Sequence, residues 1–221
     1  MVVPFDSRET EPESGSDSSV GRKGTRVSSP SSPSRRPRAD ASRNRDRILE
    51  AARNLFAERG SQVQLPEVAR AAGVGIGTVY RHFPAQADLI EAAAAQRFAE
   101  IEEYARTQCL DQAEPGRGVL DYLTHVGEIL AADSGLSAAI EAARQSRGSE
   151  PRGAALEQLA EIIGALIESD RAAGTVRPDL TVADVYMVVG ALSATIRSGS
   201  GDWRRLLTLL SDGLRVQPSS G

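Results

Sequence analysis

Apolar residues recur at every third or fourth position along most of the chain beyond residue 40. In the first such stretch, Ile48, Leu49, Ala52 and Phe56 share one face of a helix, while charged residues such as Arg53 occupy the other. The same periodicity predicts helices over residues 65–72, 75–82, 85–108, 117–132, 135–146, 153–173, 180–198 and 202–216. Glycine and proline fall between these segments, and no segment alternates as a β-strand does. The pattern predicts an all-α protein.

Residues 1–39 break this pattern because they are rich in serine, proline and arginine and contain few apolar side chains. Such a segment buries too little surface to offset its conformational entropy, so we expect a disordered tail. Its charge is divided, with acidic residues from Glu9 to Asp17 and basic residues from Arg22 to Arg38. Two interpretations stay open: a solvated tail, or a flexible arm that adds non-specific affinity for nucleic acid.

Composition narrows the classes of protein. The net charge of −4 and the 40% hydrophobic content are those of an ordinary globular chain. Cys109 is the only cysteine, which excludes an intrachain disulfide and favours a reducing, cytoplasmic location. No apolar run reaches the roughly 18 residues of a membrane span, so we expect no membrane contact. With two histidines, no glycine-rich phosphate loop and no metal-ligand spacing, the sequence indicates no enzyme, no cofactor and no metal site.

Residues 66–83 contain the features of a helix-turn-helix. Ala69 is small enough to let two helices cross closely, and Gly73, four residues later, permits the left-handed backbone of a sharp turn. Val68, Val74 and Val79 fall where apolar side chains pack inside the angle between the helices. In such a motif the second helix can enter the major groove of DNA.

The string AAGVGIGTVYRHFP at residues 71–84 strongly resembles the recognition region of TetR-family transcriptional regulators, and ILEAARNLFAERG at residues 48–60 resembles the first helix of that family. The resemblance implies an N-terminal three-helix DNA-binding domain over residues 40–84. It also implies a C-terminal helical bundle over residues 85–217 that senses a ligand and dimerises. The expected function is a repressor that a small-molecule effector releases from a palindromic operator in double-stranded DNA. The alternative is a helical interaction module of the same fold that does not bind DNA specifically.

Carried over from the family, phosphate contacts fall on Tyr80 and His82. Groove or base contacts fall around Ile76, Gly77, Thr78 and Arg81, whose donors and methyl groups suit base edges. We add Arg43, Arg45, Arg47, Gln64 and Gln86 to the predicted DNA-binding set. Gln64, Gly75 and Gln86 depart from the threonine, serine and lysine common in the family, and the three arginines are expected to supply the lost charge. For each contact the alternative is structural: a core aromatic, a surface histidine or a solvated helix face.

The last two predicted helices carry wide apolar stripes, which are expected to pair with a second copy in a four-helix interface. The predicted interface residues are Val185, Val189, Leu192, Ile196, Trp203, Leu206, Leu210 and Leu214. The alternative is that these stripes belong only to the core of one protomer.

An effector pocket between helices would be mostly apolar with a few polar anchors. The predicted lining residues are Phe98, Ile101, Tyr104, Tyr122, His125, Ile129, Ile140 and Met187. For His125 the alternative is a hydrogen-bonded histidine in the core.

Overall fold

The computed structural model describes residues 35–111, 114–146 and 148–216, and these residues form nine α-helices. The helices are α1 (Arg35–Arg59), α2 (Leu65–Ala72), α3 (Ile76–His82), α4 (Gln86–Tyr104), α5 (Gly118–Ala132), α6 (Ser134–Arg144), α7 (Ala154–Ala172), α8 (Val182–Ser198) and α9 (Trp203–Leu214). A 3₁₀ turn at Gly60–Gln62 follows α1, and a π-helix at Ala105–Leu110 continues α4. The all-α prediction is confirmed.

The helix ends agree closely with the periodicity, with one clear difference at the first helix. α1 begins at Arg35, so residues 35–39, which the sequence analysis assigned to the tail, are helical. The rest of the predicted tail, residues 1–34, lies outside the described residues. Across the described ranges, no helix is both long enough and apolar enough to cross a membrane.

The first three helices enclose one end of the core. Ile48, Ala52 and Phe56 of α1 are fully buried against Val68 of α2 and Val79 of α3. The turn between α2 and α3 depends on glycine because Gly73 has a φ of +63°, in the left-handed region. Its N–H donates to the Arg70 carbonyl at 3.2 Å, and the next N–H, of Val74, donates to the Ala69 carbonyl at 3.0 Å. The predicted helix-turn-helix is therefore present.

The remaining helices surround α5, which packs against α4, α7, α8 and α9. Leu123 on α5 and Ile163 on α7 are fully buried in this bundle. A Cβ at Gly127 would overlap the Trp203 ring, so the glycine lets the first residue of α9 lie directly against α5. The bundle consequently encloses the other end of the same apolar core.

Two helices join the two parts. α4 packs against α1 and also against α5, α6 and α7. α6 packs against α1 and the 3₁₀ turn, and a Cβ at Gly135 would overlap the carbonyl oxygens of Phe56 and Ala57. The side chains of Arg53 and Glu100 form an ion pair between α1 and α4. α4 and α6 therefore both contact α1 as well as the bundle.

Candidate nucleic-acid interface and ligand cavity

The outer face of α3 is open to solvent. Ile76 is 40% exposed and Tyr80 is 49% exposed, and the neighbouring residues Gly77 and Arg81 are also exposed. Val79, on the opposite face, is fully buried and anchors the helix. A Cβ added at Gly77 would meet no atom within 4 Å, so the backbone itself is accessible there. These predicted contact residues therefore share one accessible surface.

Near the end of α3, one aromatic residue is exposed and another is buried. Phe83 is buried, whereas Tyr80 makes no ring contact among the described residues and is not a core aromatic. Thr78 and His82 are half-buried, and the His82 ring centroid lies 6.3 Å from that of Phe83. Thr78 and His82 thus lie at the edge of the α3 surface, while Tyr80 projects from its centre.

Three arginines of α1 lie beside the helix-turn-helix and are all exposed. The Arg45 guanidinium carbon lies 5.5 Å from the Phe83 ring centroid, and Arg47 Nη2 donates to the Gly73 carbonyl at 3.5 Å. Arg43 forms an ion pair with Asp40 one turn earlier. Arg45 and Arg47 therefore brace the motif and also place positive charge beside α3.

Charge is distributed unevenly along the chain. The sequence of α1 contains eight arginines against four acidic residues, and α3 contains no acidic residue. The whole chain, by contrast, has a net charge of −4. Positive charge on α1, beside an exposed α3, attracts the phosphate backbone of DNA.

The two glutamines differ from each other. Gln64 is exposed at the N-terminal cap of α2, where its N–H donates to Glu67 Oε2 at 2.9 Å. Gln86, the other glutamine of the predicted DNA-binding set, is half-buried at the first turn of α4. Its Nε2 donates to the carbonyls of Val63 at 2.8 Å and Ser61 at 3.3 Å, so both amide hydrogens are used within the protomer. The remaining Gln86 oxygen can only accept, and a phosphate has no hydrogen to give it.

A cavity of about 470 Å³ lies in the bundle, bounded by α4, α5, α7, α8 and the segment 148–151. Four of the predicted residues, Phe98, Ile101, Tyr122 and Met187, line it. Its wall is mainly apolar, and Leu156 and the 68% exposed Met187 are large apolar residues at its opening. This size falls within the usual range of small-molecule sites.

The other four predicted pocket residues lie elsewhere. Tyr104 and His125 stack on each other, with centroids 3.5 Å apart and planes 10° from parallel. Ile140 is fully buried in the core, and Ile129 is half-buried against it. Helical periodicity assigned these residues to an inward face, but neighbouring side chains fill the space that they face.

The structure adds a cavity residue that the sequence analysis did not select. Arg97 is 1% exposed and lines the cavity. Its Nη1 donates to Ser137 Oγ at 2.9 Å and to Asp133 Oδ1 at 3.3 Å, and its Nη2 donates to the Ser149 carbonyl at 3.1 Å. Burial lowers the Arg97 pKa and raises the Asp133 pKa. A signal was available, because an arginine three residues after Ala94 and four before Ile101 lies on the apolar face of α4.

The predicted dimer residues fall into a buried group and a half-buried group. Val185 and Leu192 are fully buried and Trp203 is almost so, which places these three inside the protomer. The half-buried residues are Val189, Ile196, Leu206, Leu210 and Leu214, and Val189 also lines the cavity. The exposed apolar side chains on these helices are Met187 and Leu209, which the interface prediction omitted. The small residues Ala183, Gly190 and Ala194 extend the exposed face of α8.

Two regions of the chain match models of known protein families. Residues 48–93 match the model described as bacterial regulatory proteins of the tetR family, and residues 114–216 match the SbtR-like C-terminal domain of transcriptional regulators. HTH-type transcriptional regulators of Staphylococcus aureus are 45% identical over 53 residues, which is 24% of this chain and 29% of the relative. The chain therefore matches less than a third of the length of these curated relatives.

Two solved structures extend the similarity over almost the whole fold. A TetR transcription regulatory protein from Mycobacterium vanbaalenii is 35% identical, has a TM-score of 0.61, and covers 81% of this chain and 99% of its own. A TetR transcriptional regulator from Streptomyces coelicolor is 31% identical, with a TM-score of 0.60 and coverage of 79% and 99%. The chain belongs to the TetR family of DNA-binding transcriptional regulators, which are not enzymes.

Proposed function

We propose that this regulator is a homodimeric repressor that grips a palindromic operator through α3 and leaves it when a small molecule enters the bundle cavity. The observation that carries the proposal is the course of α4. Three residues separate the end of α3 from the start of this helix. The helix carries Arg97, Phe98 and Ile101 on the cavity wall. One rigid element thus connects the proposed DNA surface to the proposed ligand site.

Contacts at both ends support this connection. At the first turn of α4, Gln86 donates to two carbonyls of the segment that precedes α2, which fixes α4 to the helix-turn-helix. Nineteen residues at about 1.5 Å each make α4 roughly 28 Å long. A small tilt produced at the cavity therefore becomes a larger displacement at α3.

α6 offers a second connection. Asp133, which accepts from Arg97 at the cavity wall, directly precedes α6. Two residues later, Gly135 lies against the backbone of α1. A ligand that displaces Arg97 would therefore act on the contact between α6 and α1 as well as on α4.

The dimer supplies the reason that small shifts matter. Two recognition helices must meet half-sites about 34–36 Å apart, so a change in their separation weakens both halves together. The exposed apolar residues Met187 and Leu209, with the small residues of α8, form a surface suited to close pairing of α8 and α9 with a second copy.

The test is selection of genomic DNA fragments on the full chain, followed by fluorescence anisotropy with the enriched duplex. The proposal predicts enrichment of a duplex with inverted half-sites that binds two protomers and weakens with Arg81→Ala. Arg106→Ala, an exposed arginine of the π-helix that pairs only with Glu102 one turn away, is the matched control and should leave the affinity unchanged. Failure to enrich any duplex, with no shift at low salt, would favour the helical interaction module that does not bind DNA specifically.

A further inference from the structure

Two hydrogen-bond donors of cavity-lining residues have no partner in the described part of the chain. Tyr122 is only 3% exposed and lines the cavity, and its hydroxyl makes no hydrogen bond to any described residue. Arg97 also lines the cavity, and its buried Nε has no hydrogen-bond partner in the described part of the chain. Buried donors are nearly always satisfied in native proteins, by protein, water or ligand. The Arg97 Nε is shut off from the cavity by its surroundings, so the Tyr122 hydroxyl is the open donor, and it indicates a place for an acceptor group of a ligand.

The protonation states of both groups are those of donors. Burial raises the pKa of the Tyr122 phenol far above neutrality, so the hydroxyl keeps its proton. Arginine retains its proton in proteins even where burial lowers the pKa, as it does for Arg97. The Tyr122 hydroxyl can also accept a hydrogen bond, whereas the Arg97 guanidinium can only donate.

Both arginines among the described residues that line the cavity are paired. The Arg97 guanidinium is paired with Asp133, and Arg197 at the rim is paired with Glu141. Glu150, also at the rim, adds negative charge. An anionic ligand would therefore bring a charge for which no unpaired cation stands among these described lining residues of a mainly apolar site. An uncharged acceptor would satisfy the Tyr122 hydroxyl without that cost.

We propose that the cavity binds an uncharged, largely apolar carbonyl compound, whose oxygen accepts from the Tyr122 hydroxyl while its hydrocarbon part lies against Phe98, Ile101 and Leu159. The inference rests on the proposed function only in treating the cavity as a ligand site. It names the chemical class, which neither the fold nor the family specifies. A volume of about 470 Å³ accommodates a molecule of this kind with a hydrocarbon chain.

The experiment is isothermal titration calorimetry of the full chain with 2-tridecanone and with dodecanoate, which has the same number of heavy atoms and a carboxylate in place of the methyl ketone. The ketone is expected to bind at least tenfold more tightly. Tyr122→Phe should weaken ketone binding about 2- to 12-fold, the range of one neutral hydrogen bond. Tyr186→Phe is the matched control: this tyrosine lines the same cavity, but its hydroxyl already donates to the Leu156 carbonyl at 3.4 Å. It should change the affinity less than twofold.

Three results would overturn the proposal: tighter binding of dodecanoate, no binding of the ketone, or equal losses in the two tyrosine variants. Circular dichroism of both variants checks that they fold. Tight dodecanoate binding would leave the ligand-sensing function standing, whereas ketone binding without any effect on DNA affinity would contradict that function and not the ligand class.

Discussion

Replacing Gly135 with alanine tests the contact that joins α6 to the DNA-binding helices. A Cβ at this position would overlap the carbonyl oxygens of Phe56 and Ala57, which belong to the backbone of α1. Backbone atoms inside a helix cannot rotate away as a side-chain end can. The two helices would have to separate, and the packing around Leu136, which is fully buried, would open with them.

The expected magnitude is a balance of two effects. In an open helical position, glycine to alanine stabilises a protein by roughly 0.5–1 kcal/mol. Overpacking of a close contact costs about 1–3 kcal/mol. Because two backbone oxygens are overlapped at once, we expect the second effect to win and Gly135→Ala to lose about 1–2 kcal/mol of unfolding free energy.

The assay is equilibrium urea unfolding followed by circular dichroism, at one protein concentration because a dimer's stability depends on it. Gly164 in α7 is the control, since its added Cβ would meet only Val182 Cγ2, at 3.9 Å. Gly164→Ala should gain about 0.5–1 kcal/mol. A Gly135→Ala protein as stable as the wild type, or more stable, would refute the reasoning about this contact.

Three further predictions concern other parts of the chain. Tyr80→Phe and His82→Ala should each weaken DNA binding by about 1–2 kcal/mol for every operator variant alike, and a changed base preference at unchanged overall affinity would disprove the phosphate role. Burial lowers the His125 pKa below its usual 6.5, so its contribution to stability is complete above about pH 6.5 and is lost as the pH falls through the folded value; an NMR titration midpoint at or above 6.5, with His82→Gln assigning the signals, would contradict this. Deleting residues 1–34 should reduce the slope of log affinity against log salt, and an unchanged slope would leave that segment without a role in DNA binding.

Sequence periodicity was sufficient for the helices because each amphipathic helix shows its buried face in its own residues. The α2–α3 turn was equally clear, since only glycine adopts the φ of Gly73 without strain. The exposed face of α3 followed from the same logic once Val79 was assigned to the core. These features depend on local residues, so a single sequence contains them.

The cavity and the interface were harder to predict because they depend on which helix faces which. Ile140 and Leu192 both lie on apolar helix faces, yet both side chains are fully buried by neighbours within the same protomer. Periodicity identifies the buried side of a helix but not whether a cavity, a second copy or another helix covers it. Met187 is a further example of this ambiguity, since it lines the cavity and its side chain is also largely exposed.

Polar residues with distant partners were the least predictable. Gln86 is separated by 23 residues from Val63, whose carbonyl it binds, and Arg97 by 52 residues from Ser149. Such contacts follow from the tertiary arrangement and leave no local pattern, except that a lone charge in an apolar stripe, as at Arg97, indicates a buried partner.

The central claim is that α4 and α6 couple the cavity to the DNA surface. The most direct measurement is the affinity of the full chain for 2-tridecanone with and without saturating operator duplex. Linkage requires that the operator weaken ketone binding by the same factor by which the ketone weakens operator binding, and allosteric couplings are typically about 5- to 150-fold. We predict a factor in this range, identical in the two directions. Equal ketone affinities for the free and the operator-bound protein would contradict the coupling.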